Sequence, residues 1–293
     1  MSNAVAPASL IPQVEPARLQ ALNHLIAQLQ LEQLEMNLFR GISTDIGSPS
    51  VFGGQVLGQA LMAAARTVRN GHRPHSLHGY FLLAGDKAAP IVYEVDAVRD
   101  GHAFTSRRVT AIQHGQAIFH MSASFHQEEP GHDHQSPMPQ VPEPDHATPH
   151  PLRSLALAKP FELGFIDVRE TRTHGRLPPF NRVWVRTCAP VIPDDPIVHQ
   201  ALLAYISDFS LLGVALRPHG LYFGQPGLKT VSLDHAMWFH RPFRADEWLL
   251  YDLDSPSASG ARGFARGALY NQRGELIASV AQEGLMRYKA PAP

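Results

Sequence analysis

Asp194-Asp195-Pro196-Ile197-Val198-His199-Gln200-Ala201-Leu202-Leu203-Ala204-Tyr205-Ile206-Ser207-Asp208-Phe209-Ser210-Leu211-Leu212 is the stretch around which the chain is arranged. Asp195 is a good N-cap, because its carboxylate can accept from an early helical N–H. Pro196 suits the first turn, where its missing donor costs nothing. From Ala201 to Leu212 apolar side chains cover most of the circumference, which predicts a helix enclosed within a domain. Asp208 falls inside that apolar run, where an unpaired charge costs several kcal/mol. Either it faces a solvated edge or caps a neighbour, or it is placed there for chemistry.

With 293 residues the chain has room for two ordinary domains or one large one, with ample core in both cases. A net charge of −1 gives no basic surface for nucleic acid or for an anionic membrane. The single cysteine, Cys188, excludes an internal disulfide and reads as a small strand residue. No apolar run approaches the ~20 residues that span a bilayer. Residues 1–16 are rich in proline and alanine, lack the features of a signal peptide, and read as a disordered arm. The C-terminal Lys289-Ala290-Pro291-Ala292-Pro293 is no peroxisomal address, so a cytoplasmic protein is expected.

The remaining sequence divides into a first half (17–126), a linker (127–152) and a second half (153–289). Ala17 to Gln30 has helical spacing, and Leu34 to Ile42 reads as a strand. Phe52-Gly53-Gly54-Gln55 opens a helix running to about Val68, crowded with Gly58, Ala60, Ala63, Ala64 and Ala65, which allows other backbone to approach closely. Gly53-Gly54 is either a tight turn or a source of N–H groups for a carbonyl oxygen or an anion. Strands are then predicted at Leu77–Phe81, Ile91–Val98, Phe104–Gln113 and Ala117–Phe125, with turn signals between them. The linker is proline- and histidine-rich and should be exposed and partly extended. His132 and His134 within it lack a fixed third ligand, and neither a metal nor a cofactor is expected.

The second half repeats the order of the first. Strands are predicted at Phe161–Arg169 and Arg182–Thr187, then the Asp208 helix, then Thr230–Phe239, Glu247–Leu253, Gly263–Tyr270 and Leu276–Met286. Asp100-Gly101 through Arg107 aligns with Ser259-Gly260 through Arg266, and Gly115-Gln116-Ala117-Ile118 aligns with Gly274-Glu275-Leu276-Ile277 at the same spacing. This self-similarity implies an α+β fold of two copies, each a buried helix wrapped by an antiparallel sheet, joined as the subunits of a homodimer would be. Where the copies differ is informative. Aligning Gln55 with Gln200 sets Ala63 opposite Asp208, and Ser122-Ala123-Ser124 stands where the second copy has Ala281-Gln282-Glu283. Polar groups present in one copy only are hard to assign to the shared fold.

Val51-Phe52-Gly53-Gly54-Gln55-Val56-Leu57-Gly58-Gln59-Ala60 and Ser232-Leu233-Asp234-His235-Ala236-Met237-Trp238-Phe239-His240 resemble the acyl-CoA thioesterase II family. So do Ser257-Ala258-Ser259-Gly260-Ala261-Arg262-Gly263-Phe264 and Gln282-Glu283-Gly284-Leu285-Met286-Arg287. The resemblance runs in order from about Leu31 to Arg287. It implies a double hot-dog fold and hydrolysis of acyl-CoA thioesters to a free fatty acid and coenzyme A. It also implies a catalytic acid at Asp208, a hydroxyl residue at Ser232 (threonine in some members) and a glutamine at Gln282. A carboxylate, a hydroxyl and a carboxamide can together hold one water, which needs a base to attack a thioester. The backbone N–H groups of Gly54 or Gln55 are the expected donors to the substrate oxygen.

Alternation along Ser232, Asp234, Ala236 and Trp238 sets Asp234 on the face of Ser232 and His235 on the other, so Asp234, His235 and His240 read as a supporting network. Arg262 and Arg266 read as cross-strand surface pairs, with coenzyme A phosphates as the other use. A hot-dog hydratase or a binding-only module are the competing functions. Against the first, the helix has no histidine near Asp208; against the second, a binding module has no use for a carboxylate in an apolar helix. A homo-oligomer, dimer or tetramer, is expected.

Overall fold

The computed structural model describes residues 14–69, 71–144 and 158–288. Most of the expected N-terminal arm, the end of the linker with its boundary at 152–153, and the C-terminal edge at Lys289 lie outside the described residues.

The first half begins with α1 (Pro16–Leu29), which buries Leu22, Leu25, Ile26 and Leu29, and the short strands β1 (Glu32–Glu35) and β2 (Leu38–Gly41). Then come α2 (Gly53–Ala65) and four long strands: β3 (His72–Phe81), β4 (Ile91–Asp100), β5 (Phe104–Gln113) and β6 (Gln116–Gln127). The second half has β7 (Phe161–Phe165), a short α3 (Thr171–His174), β8 (Phe180–Thr187) and α4 (Pro196–Ser207). It continues through α5 (Gly213–Leu216), β9 (Leu228–Ser232), β10 (Asp234–Phe239), β11 (Leu249–Ser259), β12 (Arg262–Asn271) and β13 (Leu276–Tyr288).

All the strands form one sheet in the order β1-β2-β4-β5-β6-β3-β10-β13-β12-β11-β8-β7, with β9 paired to β13 beside β10. Each half wraps its own helix, and the antiparallel pairing of β3 with β10 joins the halves at the middle. This is the expected α+β double hot-dog. Asp195 caps α4 as expected, accepting from Ile197 N at 2.9 Å. From Val198 to Ser207 every residue of α4 is buried, and each large apolar side chain so enclosed contributes roughly 1.5–3 kcal/mol. The small residues of α2 let the backbone of α4 approach: a Cβ on Gly58 would lie 3.0 Å from Ala201 O.

Several element boundaries differ from the sequence expectation, each for a local reason. The Leu34–Ile42 strand is a hairpin, turned at Met36-Asn37. β3 starts five residues earlier than expected, because a register shift between Pro74 and Ser76 absorbs the proline's missing donor. β11 likewise runs on past Pro256 through a shift between Asp254 and Ser257. β7 stops at Phe165. The Thr230–Phe239 strand is broken at Leu233: Ser232 faces Gly284 on β13 while Ala236 faces Ala281, so one extra residue is accommodated as a bulge. The Asp208 helix ends at Ser207, and the left-handed Ser210 (φ 64°) turns the chain before α5. The linker, expected to be exposed, is partly docked. Gln135 bonds Gly274 O and Leu276 N, Pro142 O accepts from Trp184 Nε1, and Met138 and Val141 cover Trp184, Leu250 and Tyr270.

Candidate active site

The N-terminus of α2 lies against the C-terminus of α4, and two glycines make the approach possible. A Cβ on Gly54 would stand 2.1 Å from Tyr205 O, and one on Gly53 would stand 2.7 Å from the Asp208 carboxylate. Asp208 is the C-cap of α4, with its N–H on Ile206 O, so its side chain leaves the helix toward α2. Three donors converge on the carboxylate. Gly54 N–H reaches Oδ2 at 3.0 Å, Gln282 Nε2 reaches Oδ1 at 2.7 Å, and the Ser232 hydroxyl is the third.

Burial raises the Asp208 pKa above its ordinary value, and the hydrogen bonds from Gln282, Gly54 and Ser232 oppose the rise without cancelling it. The partial positive charge at the start of α2 also favours the anion. Gln282, on β13, is 1% exposed, and its Oε1 has no partner among the described residues. A carboxylate only accepts, so the amide must turn its nitrogen to Asp208 and leave that oxygen open. Asp208 and Gln282 Oε1 therefore present neighbouring acceptors, the arrangement that holds a water by its protons.

The three expected residues Asp208, Ser232 and Gln282 thus come together. Gly54 and Gln55 do so only in part, and the expectation that they offer N–H groups to a substrate oxygen needs correction. The Gly54 donor is taken by the protein's own anion, and the Gln55 N–H bonds Phe52 O at 3.0 Å. The Gln55 amide is occupied too, with Thr44 N and Ile42 O. Arg262 and Arg266 form surface pairs with Glu283 and Asp254.

The alternation read across Ser232 and His235 is overturned by the bulge at Leu233, which moves His235 to the helix side with Ser232. His235 is fully buried, its Nε2 lies 2.9 Å from Ser207 Oγ, and burial pushes its pKa down to about 3, leaving the ring neutral. Ser207 O accepts in turn from Tyr251 at 2.7 Å. Ser207, His235 and Tyr251 together fix the end of α4 one residue before Asp208. No sequence signal marked Ser207 or Tyr251, since each reads as an ordinary interior residue of its element. Asp234 accepts from Glu283 N at 2.6 Å, and His240 bonds Ser279 at the surface. Cys188 is buried, burial raises its thiol pKa, and its sulfur bonds Arg18 O in α1.

Comparison with known proteins gives a consistent result. A family model described as acyl-CoA thioesterase matches residues 164–285, and one described as acyl-CoA thioesterase N-terminal domain matches residues 42–126. Acyl-CoA thioesterase 2 of Haemophilus influenzae is 41% identical over 281 residues, covering 91% of this chain and 98% of that protein. Acyl-coenzyme A thioesterase 8 of Homo sapiens is 40% identical over 286 residues, covering 89% and 88%. The crystal structure of an acyl-CoA thioesterase II, TesB2, from Mycobacterium marinum superposes with a TM-score of 0.79 at 44% identity, covering 91% of this chain and 99% of that one.

Proposed function

The chain belongs to the acyl-CoA thioesterase family and is a thioester hydrolase, and on that premise we propose that Asp208, Ser232 and Gln282 activate the water that cleaves acyl-CoA. The observation that carries this reading is the convergence of Gln282 Nε2 at 2.7 Å and Gly54 N at 3.0 Å on the carboxylate of Asp208, with the Gln282 oxygen left open beside it.

A water lodged there gives one proton to Asp208 and the other to Gln282 Oε1 or to a lone pair of Ser232. Its own lone pair then points at the thioester carbonyl carbon. As the O–C bond forms, Asp208 takes the proton, and the tetrahedral intermediate collapses with cleavage of the C–S bond. Coenzyme A leaves as the thiolate, a good leaving group that needs no strong general acid. The proton held by Asp208 passes to it or to solvent, so the products are the free acid and coenzyme A and the base is restored. The raised pKa brings Asp208 closer to the pH at which a base is most effective. His235 is buried, neutral and already bonded to Ser207, which suits positioning rather than proton transfer.

The decisive experiment measures thiol release from acyl-CoA by Asp208→Asn. Loss of a general base lowers the rate by about 10²–10⁴-fold. A variant that keeps more than half the wild-type rate with an unchanged melting temperature removes Asp208 from the role.

A further inference from the structure

The catalytic cleft is one of two positions created by the internal duplication. At the seam β3 and β10 run antiparallel, with His78 opposite Ala236 and Ser76 opposite Trp238. Beneath them α2 and α4 also run antiparallel, with Gly54 beside Tyr205 and Gly58 beside Ala201. The halves are therefore related by an approximate twofold axis, and each end of the seam carries its own version of the same position. Under that relation the counterpart of Asp208 is Ala63, that of Gln282 is Ala123, and that of Ser232 is Pro74, which faces Phe125 on β6 as Ser232 faces Gly284 on β13. Phe81, beside Gly53, corresponds to Phe239.

At the second position the structure has an open cleft. It encloses about 200 Å³ and is lined among others by Arg73, Pro74, Gln200, Phe239, His240 and Arg241. Gln200, on the second turn of α4, is 8% exposed. Its nitrogen donates to Pro74 O at 2.9 Å, and its Oε1 has no partner among the described residues. A buried acceptor left open destabilises the fold, and a donor brought by a ligand would remove that cost. At the rim Arg73 is exposed and in no ion pair among the described residues, while Arg241 is held by Leu276 O and Asp133. Glu128 is the one acid of the lining.

We propose that this cleft is a second coenzyme A site, which binds the pantetheine arm and does not hydrolyse. An amide N–H or the thiol of pantetheine supplies the donor that Gln200 Oε1 lacks, Pro74 and Phe239 flank the neutral arm, and Arg73 meets the phosphate end. No hydrolysis follows, because Ala63, Ala123 and Pro74 offer neither a base nor a ligand for water. The inference rests on the assignment of the catalytic trio to the other end of the seam.

Calorimetric titration of the full chain with free coenzyme A should give two sites per chain. Arg73→Glu and Gln200→Leu should each weaken one site about tenfold, the size of one lost contact to a charged or buried group. Both should leave thiol release at low acyl-CoA unchanged. Arg108→Glu, an exposed charge outside the cleft, should leave both sites intact. Asp208→Asn should keep both sites while losing turnover, so the catalytic reading fails on thiol release and the second site fails on stoichiometry. One coenzyme A per chain in the wild type overturns the proposal. So do two sites that survive both Arg73→Glu and Gln200→Leu, or an Arg108→Glu variant that behaves like Arg73→Glu.

Discussion

At the scale of single residues, the role proposed for Asp208 sets function and stability in opposition. Burial raises its pKa in the folded chain, so between the ordinary carboxylate value and the raised one the folded state binds the proton more tightly than the unfolded state does. Stability from this group is therefore greatest at the acid end of that window and falls as pH rises through it. Under the proposed mechanism activity runs the other way, since the base must be ionised. Hydrolysis should fall as pH drops through a pKa above the ordinary carboxylate value, and that acid limb should vanish from the residual rate of Asp208→Asn. The same variant should melt at the wild-type temperature or higher at neutral pH; a lower melting temperature would show that the ionised carboxylate stabilises the fold. Ser232→Thr should be nearly neutral and Ser232→Ala clearly harmful at saturating acyl-CoA, because the hydroxyl and not the methyl meets the carboxylate. Equal rates in the two would remove the hydroxyl from the mechanism. Asp208 and Gln282 were legible in the sequence because each is a polar group that its duplicate lacks, as Ala63 and Ala123 show, whereas Ser232 was legible only through the family resemblance. Ser207 and Tyr251 were not, because their importance lies in which distant atom they meet.

At the scale of elements, the candidate site depends on how closely the start of α2 approaches the end of α4. Gly54→Ala would set a Cβ 2.1 Å from Tyr205 O, a backbone atom that cannot swing aside. Overpacking of this kind costs typically 1–3 kcal/mol, and here it would also pull the Gly54 N–H from Asp208. Gly54→Ala should therefore lower both the melting temperature and thiol release, and more than Gly58→Ala, whose Cβ would lie 3.0 Å from Ala201 O. If both variants match the wild type, the helices are not held at this spacing. Periodicity identified both buried helices and most strands. It failed where a single residue decides the outcome. The bulge at Leu233 reverses the facing of everything after it, and alternation cannot detect one extra residue. The end of α4 at Ser207 was hidden because apolar residues continue to Leu212. Their burial continues as well, in a chain that has already turned. The docked linker was hidden because Gln135, Met138 and Val141 are too sparse to form a pattern.

At the scale of the whole molecule, the candidate site belongs to both halves: Gly54 comes from the first, and Asp208, Ser232 and Gln282 from the second. A fragment spanning the second half alone should release no measurable thiol from acyl-CoA, and co-expression with the first half should restore release. A second-half fragment active alone would show that α2 and β3 are dispensable. The duplication itself was legible, because its turn residues recur at fixed spacing; what each end of the seam had become was not, since that depends on which side chains share a cleft. The β3–β10 seam has one further consequence, which concerns inheritance. In a symmetric pair of identical chains one gene writes both clefts, and every mutation is expressed twice. Here each cleft has codons of its own: a change at Pro74 alters one and a change at Ser232 alters the other. Natural selection can therefore hold one end of the seam to a fixed reaction while the other accumulates changes that a shared gene would never permit.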